Sequence, residues 1–92
     1  MESKDWILTV ANSSAEEPVL YRFHGTEKQV RKKLASFVRE DKKNDREEFD
    51  YGCTKPEEFE SENNGMRLYG YATYGDYHID YTADVLDSIP EA

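Results

Sequence analysis

A single stretch with helical periodicity lies between segments that alternate with the two-residue period of a β-strand, which limits the chain to a mixed α and β fold. Apolar side chains recur in it at the spacing of one helix face, at Val30, Leu34, Phe37 and Val38. Thr26 precedes them as an N-cap residue, and Gln29 stands where a capping box requires it. We predict an amphipathic helix from about Glu27 to about Lys43 that packs its apolar stripe on a sheet.

Two strands are predicted before this helix. Residues 5–12 (DWILTVAN) and 19–25 (VLYRFHG) alternate along their length and are rich in β-branched and aromatic side chains. The polar connection between them ends in Pro18. Because the two segments are close in sequence, an antiparallel hairpin is their natural pairing.

A second hairpin is predicted after the helix, with strands at about Met66–Tyr74 and about Tyr77–Ala83. Gly75-Asp76 fits a two-residue type II′ turn between them, which places Tyr71 opposite Asp80. The expected core face of this hairpin consists of Leu68, Gly70, Ala72, Tyr74, Tyr77, Ile79 and Tyr81. The opposite side, which we call the outer face, consists of Arg67, Tyr69, Tyr71, Thr73, His78, Asp80 and Thr82.

Residues 45–65 show neither period and form an acidic segment, in which carboxylates far outnumber bases. We expect an ordered crossover loop, with partial disorder as the alternative. The aromatic side chains of Phe49, Tyr51 and Phe59 are expected to attach this loop to the core. A short helical turn is predicted near Pro56–Phe59, since proline suits a first helical position.

These elements predict a single α+β domain over residues 1–92, in which a four-stranded sheet of two β-hairpins packs on one amphipathic helix in the order ββαββ. The order is similar to that of ubiquitin-like β-grasp proteins. That resemblance implies that the first strand lies beside the last strand and runs parallel to it. A resemblance of fold carries no function with it.

A second resemblance rests on two stretches of sequence. GTEKQV at residues 25–30 and YGDYHIDYTADVLDSIP at residues 74–90 resemble a group of short, acidic, uncharacterised bacterial proteins. The resemblance implies a bacterial accessory protein and assigns neither an activity nor a site.

Charge is unevenly distributed along the chain, whose formal net charge is -8. Residues 28–46 carry a net charge of +5, whereas residues 47–92 carry -10. We interpret the basic block as the solvated side of the helix beside an acidic segment that partly neutralises it. The alternative is that one of these charged surfaces meets a partner. Direct nucleic-acid binding is not expected, because phosphate contacts need a dominant basic footprint.

The chain offers little of the chemistry that enzymes and metal sites use. Cys53 is the only cysteine, which excludes an internal disulfide and a thiolate zinc cluster. A phosphate-binding loop and an HExxH motif are absent from the sequence. His78 and Asp80 share a strand face and could serve a metal or acid–base chemistry, but the carboxylate has Arg67 and Tyr71 as simpler partners. We therefore predict no enzymatic activity, no cofactor and no metal.

Two functional hypotheses remain, and both have another protein as the partner. The first is a protein–protein interaction module with Arg67, Tyr69, Tyr71, His78 and Asp80 as the binding residues. The alternative is an acidic mimic of nucleic acid that inhibits a DNA- or RNA-binding protein through Glu57, Glu58, Glu60 and Glu62. Because the sequence has no apolar run long enough for a bilayer and no secretory segment after Met1, we expect a cytoplasmic location without membrane association.

Overall fold

The computed structural model describes residues 2–92, which fold into one α-helix and six strands. The helix α1 spans Glu27–Asn44. The strands are β1 (Lys4–Asn12), β2 (Val19–Gly25), β3 (Phe49–Gly52), β4 (Glu60–Glu62), β5 (Arg67–Tyr74) and β6 (His78–Val85). Short 3-10 turns lie at Pro56–Glu58 and Leu86–Ser88. Both predicted hairpins and the predicted helix are present close to their expected positions.

The six strands form one antiparallel sheet in the order β2-β1-β6-β5-β3, and β4 pairs with β5 on the same edge as β3. The prediction of an α+β fold is confirmed. The predicted four strands in the order ββαββ are wrong, because two further strands lie between α1 and β5. The β-grasp expectation fails at the same point, since β1 lies beside the last strand but runs antiparallel to it.

The two further strands come from residues 45–65, which we predicted as an acidic crossover loop. β3 pairs with the end of β5, and β4 pairs with its beginning. Phe59 anchors the segment as expected, because its side chain is only 2% exposed. Tyr51 points away from the core instead and is 48% exposed. Glutamate disfavours strands, so the Glu-Ser-Glu sequence of β4 carries no strand signal, and pairing with β5 decides its conformation.

The connections on either side of β4 follow their turn chemistry. Pro56 begins a 3-10 turn where the sequence predicts a short helical turn, so that prediction is confirmed. Asn63, Asn64 and Gly65 have positive φ angles of 53°, 55° and 82° and close the β4–β5 hairpin. Asparagine and glycine tolerate this left-handed conformation better than other residues.

The extra edge strand explains why β6 runs antiparallel to β1. In the structure β3 lies at the sheet edge and runs in the same direction as β2, because each strand in the order β2-β1-β6-β5-β3 is antiparallel to its neighbour. β5 runs opposite to β3, and β6 runs opposite to β5. As a result β6 lies antiparallel to β1.

The core lies between α1 and the side of the sheet that α1 covers. The predicted helix stripe is confirmed by the burial of Val30, Leu34 and Val38 and the partial burial of Phe37. The capping box is also confirmed, since the Thr26 hydroxyl accepts from the Gln29 N–H and the Gln29 side chain accepts from the Thr26 N–H. The core face predicted for the second hairpin is confirmed by the burial of Leu68, Ala72, Tyr74, Ile79 and Tyr81.

The β5–β6 hairpin has the predicted register, with Tyr71 opposite Asp80. The predicted type II′ turn is wrong, because that turn needs a positive φ at Gly75. Among the residues that the structure describes, positive φ occurs only at residues 63–65.

Two tyrosine–aspartate hydrogen bonds join the second hairpin to the end of α1. The fully buried Tyr81 donates its hydroxyl to Asp41 Oδ2 over 2.6 Å. Tyr77, in the connection before β6, donates to the Asp45 carboxylate at the C-terminal end of the helix. These phenols fill the core or its rim and reach a polar partner with their hydroxyls, which is how buried tyrosines are usually satisfied.

Candidate functional site

The outer face of the second hairpin continues onto neighbouring strands as the side of the sheet that α1 does not cover. The strand registers place Thr9 of β1 opposite Thr82 and Tyr51 of β3 opposite Thr73. The alternating burial along β5 and the register of β6 with β5 put all the predicted binding residues on this side, namely Arg67, Tyr69, Tyr71, His78 and Asp80. Thr82, which was predicted on the same side, is buried. The outer face therefore spans strands that are distant in sequence.

Three tyrosines form a row on the outer face, which we call the tyrosine row. The ring centroids of Tyr51 and Tyr71 are 5.6 Å apart, and those of Tyr71 and Tyr69 are 6.2 Å apart. Tyr51 and Tyr71 are 48% and 38% exposed, whereas Tyr69 is partly buried. Because all three side chains rise from paired strands, the row is held in place before any partner binds.

Tyr51 is the member of the row that sequence reasoning missed. It lies in the segment that we predicted as a loop, and we expected its ring against the core. Phe49 packs on the core while Tyr51 faces outward, although residues two apart lie on the same side of a regular strand. A β-bulge between these two residues reverses the side on which Tyr51 lies, so alternation in the sequence could not have placed Tyr51 on the outer face.

Asp80 organises the polar centre of the outer face. The Tyr69 hydroxyl donates to Asp80 Oδ1 over 2.9 Å, and His78 Nε2 lies 3.7 Å from Asp80 Oδ2. Burial and then the hydrogen bond to Asp80 raise the pKa of Tyr69 to about 12. Tyr69 therefore keeps its proton and acts as a hydrogen-bond donor, which fixes the carboxylate between two neighbours.

Arg67 lies toward the other end of β5. Its Nε is 3.4 Å from Asp84 Oδ1, and the register of β4 places Glu62 opposite it. Arg67, Tyr69 and Asp80 line a shallow depression of about 470 Å³ on the outer face. The structure thus brings three of the predicted binding residues into one depression, whose lining does not include Tyr71 or His78.

The acidic residues of the alternative hypothesis divide into two pairs. Glu60 and Glu62 lie on β4, opposite Tyr69 and Arg67, so they border the outer face. Glu57 and Glu58 lie in the 3-10 turn before it, where Glu58 Oε1 accepts from the Lys55 N–H over 3.0 Å. Two of the four carboxylates therefore lie on a strand at the border of the outer face, and two lie in the turn that precedes this strand.

The structure shows no assembled centre for metal or thiol chemistry within the described residues. Over residues 2–92, no group of three or more histidine, cysteine, aspartate or glutamate side chains could hold a metal ion. Cys53 is buried, and this burial raises the pKa of its thiol, which disfavours the nucleophilic thiolate. In the same part of the chain, no helix is long and apolar enough to cross a membrane.

The class that the geometry defines is an α+β protein in which one helix covers one side of a mostly antiparallel sheet. Comparisons of the chain with protein-family models, with curated proteins and with solved structures found no match. The resemblance to short acidic bacterial proteins, and the bacterial origin that it implies, stay predictions.

Proposed function

We propose that this chain is a non-enzymatic module that binds another protein through its outer face. The observation that carries the proposal is the tyrosine row, in which Tyr51 and Tyr71 are 48% and 38% exposed on a side of the sheet that the helix leaves open. Tyrosine and arginine are the side chains that most often anchor protein interfaces. Their side chains need no large rearrangement here, because the strands and the Tyr69–Asp80 hydrogen bond already position them.

The charge around the tyrosine row favours a partner with a basic surface. Asp80 and Glu60 lie beside Tyr69, and residues 47–92 carry a net charge of -10. A partner that offers lysine or arginine side chains to this surface would gain contacts with both carboxylates and aromatic rings. The electrostatic attraction between this negative charge and a basic partner also speeds their association at low ionic strength.

Replacing Tyr69 and Tyr71 together with alanine is expected to weaken partner binding by at least ~30-fold, because interface anchors of this type contribute about 2 kcal/mol or more. The partner is first captured with tagged protein from a lysate of the source cells and identified by mass. The affinity of the purified pair is then measured by calorimetry for both the native chain and the variant.

Leu86→Ala is the matched control, because Leu86 is an exposed apolar residue outside the tyrosine row, at 48% exposure. It is expected to leave the affinity unchanged. Tyr51→Ala is expected to weaken binding as the double variant does, which tests the residue that the structure added. Unchanged binding by the Tyr69→Ala/Tyr71→Ala variant contradicts the proposed surface.

The acidic mimic of nucleic acid is a second candidate, supported by the rigid placement of Glu60 and Glu62 on β4. Alternate residues of a strand lie on the same side about 6.7 Å apart, so β4 presents two carboxylates in a fixed array. Such an array would compete with phosphates for a basic site, and its binding would fall steeply with salt.

Reversing Glu60 and Glu62 to lysine is expected to abolish binding if the chain acts as this mimic. Glu16→Lys/Glu17→Lys makes the same change in net charge in the exposed connection between β1 and β2 and serves as the control. Binding is compared at low and high salt. Binding that survives both the charge reversal and high salt rules out the mimic and leaves the tyrosine row as the contact.

A further inference from the structure

The strand β2 forms an edge of the sheet with little of the usual protection against further pairing, since Arg22 is its only formally charged side chain. Among the residues that the structure describes, β2 pairs with β1 alone. It is seven residues long and contains no acid, lysine or proline. Val19, Leu20 and Tyr21 are consecutive and are 51%, 61% and 42% exposed. An exposed, apolar edge strand of this length is a ready template for another strand.

The opposite edge of the same sheet carries the protective features that β2 lacks. β3 has only four residues, and its register with β5 is irregular between Phe49 and Tyr51. β4 has three residues, all exposed, and two of them are glutamates. Short strands, bulges and charges are the devices by which proteins block edge pairing. The lack of protection is therefore specific to the β2 edge and is not shared by the rest of the sheet.

We infer that β2 is the interface of a homodimer, in which β2 of a second copy pairs with it in the antiparallel direction. This inference is independent of the outer face as a protein-binding surface. With Tyr21 on the two-fold axis, each Leu20 lies opposite the second copy's Arg22, and each Val19 lies opposite its Phe23. The two members of each pair lie on the same side of the sheet, because a two-fold axis perpendicular to the sheet does not turn one side into the other.

Charge favours a second copy as the occupant of this edge. Positions 18–26 form a stretch without any acid in a chain whose net charge is -8, so the two copies meet where neither is acidic. In the register centred on Tyr21, no charged side chain lies directly opposite another of the same sign. A contact between β2 and the acidic β4 edge would instead be head to tail, which builds rings or open filaments rather than a two-fold dimer.

Side chains of α1 support the same interface from the side of the sheet that the helix covers. The rings of Tyr21 and Phe37 of α1 lie 4.9 Å apart, and Lys33 Nζ lies 5.4 Å from the centroid of the Phe37 ring. Tyr21 is therefore held in place on the helix side although it is 42% exposed. A second Tyr21 across the axis would extend this aromatic cluster, and such cross-strand aromatic pairs stabilise sheets.

The test is sedimentation equilibrium of the full chain at low and high salt. A dimer is expected, and its association is expected to strengthen with salt, because salt screens the repulsion between two copies of net charge -8. Leu20→Lys is expected to weaken the dimer by at least about tenfold, because lysine then faces Arg22 at two symmetric places. Leu20→Glu removes the same apolar side chain but is expected to keep the dimer, since glutamate faces Arg22.

The double variant Leu20→Lys/Arg22→Glu places each lysine opposite a glutamate of the second copy. It is therefore expected to restore the dimer that Leu20→Lys loses. Thermal unfolding of each variant serves as the folding control, because Leu20 is 61% exposed and its replacement removes little core packing. A chain that stays monomeric at both salt concentrations overturns the inference. A dimer that Leu20→Lys leaves intact, or that Leu20→Lys and Leu20→Glu weaken equally, overturns it as well.

Discussion

Gly70→Ala is expected to lower the free energy of unfolding by about 2 kcal/mol, within the range that overpacked cores show. In an ordinary strand the same change is neutral or stabilising, because glycine loses more backbone freedom on folding than alanine. Here a Cβ on Gly70 would lie 2.5 Å from Phe59 Cδ2 and 3.2 Å from Phe59 Cγ. Since Phe59 is only 2% exposed, its ring is enclosed by the core and can move only if neighbouring side chains shift.

The measurement is denaturant unfolding, with the thermal midpoint as a second readout. A loss of about 2 kcal/mol corresponds to a fall in Tm of roughly 8 to 16 °C for a domain of this size. Gly75→Ala is the matched control, because a Cβ there meets only the flexible end of the Glu48 side chain. It is expected to change stability by less than about 0.5 kcal/mol, as surface substitutions usually do.

A double-mutant cycle identifies Phe59 as the cause. Phe59→Leu narrows the side chain above Gly70, so the cost of Gly70→Ala is expected to be smaller in that background than in the native chain. The same cost in both backgrounds, or a Gly70→Ala variant as stable as the native chain, contradicts the packing of Phe59 on Gly70. Such a result would also contradict the role of Phe59 as the main anchor of the segment that contains β3 and β4.

A steep loss of stability above about pH 10 is the second expected result, because tyrosine in an unfolded chain ionises near this pH. Tyr81 is fully buried. Burial, and then its hydrogen bond to Asp41, hold the pKa of Tyr81 well above the ordinary value of 10.0. The hydrogen bond to Asp45 and burial raise the pKa of Tyr77 to about 12.

The direction of this effect follows from proton binding. A raised pKa means that the folded chain keeps a proton which the unfolded chain releases above pH 10. The stability that Tyr81 contributes is therefore complete below pH 10 and falls by about 1.4 kcal/mol for each further pH unit. Tyr77 and Tyr69 each add a smaller decline up to about pH 12. Water that reaches their partly exposed side chains reduces this penalty.

The slope of stability against pH is measured by denaturant unfolding from pH 8 to pH 12. Tyr81→Phe is expected to cost about 1 to 3 kcal/mol at neutral pH, because it removes a hydrogen bond to a carboxylate. It is also expected to make the alkaline slope shallower by about 1.4 kcal/mol per pH unit. Leu34→Ala, at a fully buried helix position, is the control. It is expected to lower stability by about 2 to 5 kcal/mol at every pH without changing the slope.

An alkaline slope that Tyr81→Phe leaves unchanged would contradict the role of Tyr81. The hydroxyl would then be able to ionise in the folded chain, which requires water or a base to reach a side chain that is fully buried. Absorbance of the phenolate at alkaline pH distinguishes this case, because ionisation would then precede unfolding rather than accompany it.

The part of the outer face that lies on the second hairpin could be predicted from sequence, whereas its extension onto neighbouring strands could not. Alternation along residues 66–83 and a two-residue turn assign Tyr69, Tyr71 and Asp80 to one side and set their register. Tyr51 joins them only because β3 pairs with β5. The contribution of Glu60 likewise depends on a strand that its own residue types disfavour.

By itself, the sequence determined the elements whose signals are local. The helix is specified by its period, its capping box and its apolar stripe, and both hairpins are specified by alternation and short connections. Only the tertiary structure decided the conformation of residues 45–65, the strand number and the direction in which β6 meets β1. Those features depend on Phe59, which fills the space above Gly70, and on the edge of β5, with which β4 pairs. Contacts of this kind do not produce a periodic pattern of residues in the sequence, so they could not be predicted from it.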